Sequence, residues 1–194
     1  FSLSCIFPVI WVFYSSLKTK AEFANNIASL PVAPSFQNYV DVFSTTPMVL
    51  FILNSLRNTA LSLGFIVLIS FITGYFISRF KFLGRKLIYS FYMFGLLVPV
   101  HALLVPVYLI YKNLNLADHW YTLVIPYIAF NLSFPVFLVE SYIRGIPREM
   151  EEAAAIDGCS FTRTLFTIIL PMAFPVVATV AITQFFSCWN EFPF

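Results

Sequence analysis

The chain has 194 residues, 60% of them hydrophobic, 19% aromatic and only 10% charged, whereas a typical soluble domain carries roughly 25% charge. Too little charge is present to cover a soluble surface, and the apolar residues come in runs long enough to cross a bilayer, so the chain reads as a membrane protein. The net charge is +2 with no long run of one sign, which argues against a nucleic-acid partner.

In chain order, the first apolar run covers residues 1–16. It has no basic segment before it and no small-x-small cleavage site after it, so it reads as the remainder of a first span rather than a signal peptide. Further runs of bilayer length lie near residues 48–77, 87–111, 121–142 and 171–190, giving five candidate spans. The expected fold is all-α: a polytopic transmembrane helical bundle forming one domain over residues 1–194. The sequence reads as clipped at both ends, and a sixth span is expected beyond the last residue.

Charge sets the orientation. The 79–86 connection holds Arg79, Lys81, Arg85 and Lys86 with no acid, and the 143–170 connection holds Arg144, Arg148 and Arg163. By the positive-inside rule both are cytoplasmic, which places the amino terminus in the cytoplasm. The opposite connections are mixed in sign, with Lys18, Lys20 and Lys112 against Glu22, Asp41 and Asp118. Tyr111, Trp120, Tyr121, Tyr142 and Trp189 fall at span ends and suit the interfacial belt. Pro99, Pro106, Pro126, Pro135 and Pro171 lie within or beside spans and predict broken helices.

Chemistry-bearing constellations are few. Cys5, Cys159 and Cys188 have neither CxxC spacing nor a nearby His cluster. The glycines form neither GxxxxGK[ST] nor GxGxxG, and HExxH, GxSxG and paired intramembrane carboxylates are missing, so neither a nucleotide site nor an enzyme is expected in this chain.

The 143–170 connection carries the exceptional stretch Glu151-Glu152-Ala153-Ala154-Ala155-Ile156-Asp157-Gly158-Cys159-Ser160. Pro147 suits a first helical position, Glu149, Glu151 and Glu152 complement the positive end of the helix dipole, and the alanines favour helix. Gly158 is the natural stop, giving a helix of about three turns, roughly 16 Å long at 1.5 Å per residue. Ser160 then caps a second helix with Phe161, Leu165, Ile168 and Ile169 at helical spacing, and Pro171 bends the chain into the last span. Acids and small side chains on one short helix make either a docking element or a solvated loop.

Glu152-Ala153-Ala154, then Gly158, then Ile168-x-Leu170-Pro171 resembles the EAA motif of permease subunits in binding-protein-dependent ABC importers. Ile146-Pro147, Asp157, Trp189-Asn190-Glu191-Phe192, Asn54-Ser55-Leu56 and Ser16-Leu17-Lys18 resemble the carbohydrate, maltose-type branch, so the likeness runs over essentially the whole chain. It implies a six-span type I importer permease in a bacterial or archaeal cytoplasmic membrane. The implied partners are a second permease, two ATPase subunits that hold ATP and magnesium, and an extracytoplasmic solute-binding protein, with lipid around the spans and no cofactor on this chain.

Under the resemblance, Glu152 contacts the ATPase, Ala153 and Ala154 give close fit, Asp157 supports the turn at Gly158, and Leu170 and Pro171 complete the coupling motif. Cys159 stands where the family commonly has alanine, a small-for-small change. Asn131, Trp189 and Asn190 are candidates for the sugar pathway, with an interhelical hydrogen bond or a belt aromatic as the plainer reading. The competing function is an ion-coupled secondary transporter. Its ionisable candidates are Arg57, His101, Glu140 and Glu191.

Overall fold

A computed structural model describes residues 2–117 and 119–191, with side chains from Ser4 onward. Asp118 and Phe192, named above, and the first residue of the 1–16 run lie outside the described residues. The described residues are helical with no strand, and the chain divides into two compact units, Phe1–Leu53 and Asn54–Phe194.

The first unit holds α1 (Ser2–Ser16), α2 (Lys20–Asn25), α3 (Gln37–Thr45) and the start of α4 (Met48–Arg79). Its organising residue is Lys18, which is only 1% exposed. The Lys18 Nζ donates to the carbonyls of Asn26 (3.0 Å) and Ile27 (3.2 Å) and to Ser29 Oγ (3.3 Å), and it lies 5.6 Å from the Tyr14 ring centroid. Asn38 Nδ2 donates to the Ser16 and Lys18 carbonyls at 2.9 and 2.7 Å. Ser16-Leu17-Lys18 is therefore a structural clasp. Lys18 is a tied ammonium rather than a free loop charge.

The second unit continues α4 from Asn54 and adds α5 (Arg85–Gly95), a 3-10 turn (Val100–Leu103), α6 (Leu104–Asn113), α7 (Val124–Asn131) and α8 (Ser133–Arg144). It ends with α9 (Glu149–Ile156), α10 (Phe161–Thr164), a π turn (Leu165–Ile169), α11 (Leu170–Met172) and α12 (Phe174–Trp189). Among the described residues, α4 alone is one unbroken helix long and apolar enough to cross a bilayer. The other runs are bent pairs: α5 with the segment Val100–Asn113 at 91°, α7 with α8 at 45°, and Phe161–Met172 with α12 at 73°. Ser4–Ser16 is a shorter apolar helix.

The prolines explain much of this pattern. Pro106, Pro126 and Pro135 each occupy the third position of a helix, and Pro175 the second position of α12, where a missing N–H leaves no intrahelical bond unmade. Each helix restarts just ahead of its proline, so the bend falls upstream. For the same reason the last bend lies at Ala173, not at Pro171 as the sequence suggested. Pro171 acts on the π turn instead. A further five-residue bond from the Phe166 carbonyl would need the N–H that residue 171 lacks, so the wide turn closes with Leu170 donating to Leu165.

The main core joins α4, α8, the loop after α8, the π turn and α12 through Phe71, Tyr75, Val139, Ile143, Ile146, Leu165, Ile169, Ala173, Val176 and Val180. α4 meets α8 at Gly74, where a Cβ would stand 2.7 Å from Val139 Cγ1 and 3.0 Å from the Glu140 backbone nitrogen. A second cluster sets Ile66 against Tyr127 and Cys188.

Candidate docking site

The residues after α8 form a helix, turn and helix held against the core. Ile146 is buried, and its carbonyl accepts from Arg79 Nη2 at 2.8 Å. Arg148 Nη2 donates back to the Arg79 carbonyl at 3.3 Å. α9 starts at Glu149 with Arg148 at its N-cap, two residues later than Pro147 suggested. It is eight residues long, so about 12 Å rather than three full turns.

Gly158 takes φ +75, the left-handed conformation expected of a helix stop. The Cys159 N–H bonds the Ala154 carbonyl at 2.9 Å and the Gly158 N–H bonds the Ala155 carbonyl at 3.1 Å, the paired bonds of a Schellman closure. Ser160 then accepts from the Arg163 N–H at 3.4 Å and caps α10, as its position in the sequence indicated. Phe161 places its ring within 6.0 Å of Tyr75, Phe76 and Phe80, an aromatic cluster that pins α10 to the end of α4.

The acids divide by face. Glu151 turns inward: Arg79 Nε lies 2.6 Å from its Oε1, and the Tyr75 hydroxyl donates to its Oε2 at 2.7 Å. Tyr75 and Arg79 are four residues apart on α4 and present one clamp to the loop helix. Glu149, Glu152 and Asp157 are exposed. Met150, Ala153 and Ile156, spaced three apart, are exposed as well, Ile156 at 87%. These three side chains form an exposed apolar strip flanked by acids.

Ala154 is 4% exposed and faces the chain's own interior, so the small surface left open is Ala153 and Ala155. Leu170 is half-buried against the core and Pro171 is exposed. The sequence offered Glu151 only as a helix-dipole acid and Arg79 only as a connection cation; their pairing, and the part Tyr75 plays in it, appear only in the fold. The available signal was the tyrosine and arginine at helical spacing just before the basic connection.

The pathway candidates lie at the far end of α12. Asn131 donates to the Tyr127 carbonyl at 2.9 Å and accepts from Ser187 Oγ at 2.8 Å, so its amide is already an interhelical bond between α7 and α12. Trp189 stacks on Phe185 with centroids 5.8 Å apart, and Asn190 is exposed as the C-cap of α12. Of the residues named for ion coupling, Glu140 is buried and paired with Arg144, and His101 is exposed in the 3-10 turn. Arg57 sits 5.1 Å from the Trp120 ring.

The profile of the family described as "Binding-protein-dependent transport system inner membrane component" matches residues 66–194. The sulfoquinovosyl glycerol transport system permease protein SmoH of Agrobacterium fabrum is 37% identical over 96% of this chain and 66% of its own length. The diacetylchitobiose uptake system permease protein NgcG of Streptomyces coelicolor is 36% identical over 98% of this chain and 63% of its own. The chain thus spans just under two thirds of these relatives. A bacterial ABC transporter involved in import of the acidic polysaccharide alginate contains a chain of the same fold, with TM-score 0.84 and 24% identity over 98% of this chain and 67% of that one.

Proposed function

This chain belongs to the family of binding-protein-dependent transport system inner membrane components, and from that premise we propose that it is the permease subunit of an ATP-driven importer. It forms half of a translocation pathway for a sugar or oligosaccharide. The cargo class is supported by relatives named for sulfoquinovosyl glycerol and diacetylchitobiose transport. In this reading the chain is non-catalytic: ATP and magnesium sit on two separate ATPase subunits, a second permease completes the pathway, and an extracytoplasmic binding protein delivers the cargo. The spans cross the cytoplasmic membrane with the amino terminus and α9 inside.

The observation that carries the proposal is the division of α9 into two faces. One is locked to α4 through Glu151 and Arg79; the other presents Met150, Ala153 and Ile156 between Glu149 and Glu152. A partner seated on the open face through apolar contact and charge-assisted bonds to Glu152 holds a lever joined to the same core as α4, α8 and α12. When ATP closes the ATPases, the loop moves with them. Because a packed core shifts as a body rather than deforming, the motion reaches the helices and switches the pathway.

Uptake in intact cells tests this against ion coupling. Transport that stops on ATP depletion and survives collapse of the proton gradient is the expected result. The reverse pattern favours the secondary transporter.

A further inference from the structure

We propose that the pocket between α4, α5 and α8 is a binding site for a phosphate-bearing anion, separate from the docking face. The pocket has a volume of about 270 Å³ and is lined by Ile77, Arg85, Lys86, Tyr89, Glu140 and Arg144. A water occupies roughly 30 Å³ of liquid, so the space admits a tetrahedral phosphate group with room to spare.

Three features of the wall point to an anion. Arg85, Lys86 and Arg144 face one carboxylate, Glu140, which already pairs with Arg144 through Oε1, so two cations remain uncompensated at the pocket. Arg85 and Lys86 are the first two residues of α5, whose N-cap Gly84 offers no side-chain cap. Cations at the positive end of a helix dipole oppose it, and a bound anion reverses that penalty. Finally, Glu140 is fully buried and its Oε2 has no hydrogen-bond partner, which leaves an acceptor for the acidic proton of a phosphate monoanion or a headgroup hydroxyl.

Two guanidiniums and an ammonium match the fork and point-charge geometry that phosphate oxygens accept. Leu83, in the connection just before α5, and Leu87 and Phe91 on α5 are exposed apolar side chains on the element that carries Arg85 and Lys86. That setting suits the headgroup of an anionic phospholipid, whose acyl chains then lie along the helix surface. Free phosphate shares the headgroup chemistry and is the other source. Glu140 acts as a positioning residue: it orients Arg144 and keeps the pocket from becoming purely cationic.

Equilibrium binding of labelled phosphatidylglycerol, phosphatidylcholine and inorganic phosphate to the delipidated, full-length protein in its purified assembly tests the site, whatever solute that assembly carries. Phosphatidylglycerol binding at least tenfold tighter than phosphatidylcholine, weakened about tenfold by Arg85→Gln with Lys86→Gln, establishes a lipid headgroup site. Binding of inorganic phosphate with the same loss, and no lipid preference, establishes a free-phosphate site. Glu140→Gln, which loosens the pair that orients Arg144 and replaces the carboxylate acceptor with an amide, is expected to weaken either ligand, and a preserved unfolding midpoint in that variant separates this loss from structural damage. A preserved unfolding midpoint in the Arg85 and Lys86 variant confirms that it folds. Binding of both probes that is indifferent to Arg85, Lys86 and Glu140 overturns the proposal, as does binding of neither.

Discussion

Glu151 of the loop helix and Arg79 at the end of α4 form an ion pair at 2.6 Å, and the Tyr75 hydroxyl holds the second carboxylate oxygen at 2.7 Å. The Arg79 side chain is only 6% exposed and that of Glu151 20%, so the pair is shielded from the solvent that makes most surface ion pairs worth little. Its neighbour Glu152 points outward. Two adjacent acids therefore face opposite ways, one held to its own chain and the other exposed.

Removing one side of the pair distinguishes the two acids. Glu151→Gln is expected to lower the stability of the assembled protein by about 1.5–3 kcal/mol, the range for a hydrogen bond to a charged group. Glu152→Gln is expected to leave stability unchanged while weakening ATPase association. Thermal unfolding and co-purification read the two effects apart, and equal loss of stability in both variants contradicts the division.

The turn at Gly158 gives a second test. Its φ of +75 is one that a β-branched residue resists, and a side chain in left-handed backbone costs roughly 1–2 kcal/mol. Gly158→Val is expected to insert normally but to lose uptake, because the angle between α9 and α10 changes. Gly158→Asn, which tolerates the conformation, should retain most of it. Space is not the issue, since a Cβ at Gly158 meets nothing within 4 Å.

At Gly74 the constraint is the opposite one. A Cβ there meets Val139 side-chain atoms at 2.7 and 2.9 Å and the Glu140 backbone nitrogen at 3.0 Å, and backbone does not yield as a flexible side chain does. Gly74→Leu is expected to cost at least the 1–3 kcal/mol typical of overpacking, read as a lower unfolding temperature. Gly64, which has open space around it, is the control: Gly64→Ala should be tolerated.

The Ser187–Asn131 bond distinguishes a structural from a transport role at the other end of α12. An interhelical hydrogen bond of this kind averages about 0.6 kcal/mol in membrane proteins. Ser187→Ala should therefore reduce stability only slightly and leave the KM for sugar unchanged if Asn131 merely ties the helices. A raised KM in both Ser187→Ala and Trp189→Ala places this end of the bundle on the pathway.

What was legible in the sequence was what is decided locally. The left-handed stop at Gly158 and the cap at Ser160 depend on a few neighbouring residues, and both formed where the sequence put them. The ends of the helices near prolines were harder. Pro126 and Pro135 signalled breaks, but a proline is accommodated best in a first turn, so the bend falls upstream of it and one candidate span becomes α7 and α8. The Glu151–Arg79 pair, the burial of Lys18 and the inward turn of Ala154 depend on which elements meet in three dimensions. A single sequence carries no such record. Charge counting treated Lys18 as a loop cation, and the identity of the motif drew attention to Glu152 over the acid beside it.

Whether the open face of α9 meets an ATPase is measured most directly by photocrosslinking from single positions on that helix in the assembled protein. A benzophenone-bearing residue at Met150, Ala153 or Ile156, all exposed, is expected to capture the ATPase subunit, whereas one at Ala154, which is buried, is not. Capture of only lipid or solvent from the three exposed positions, in a preparation that still transports, contradicts docking through this helix.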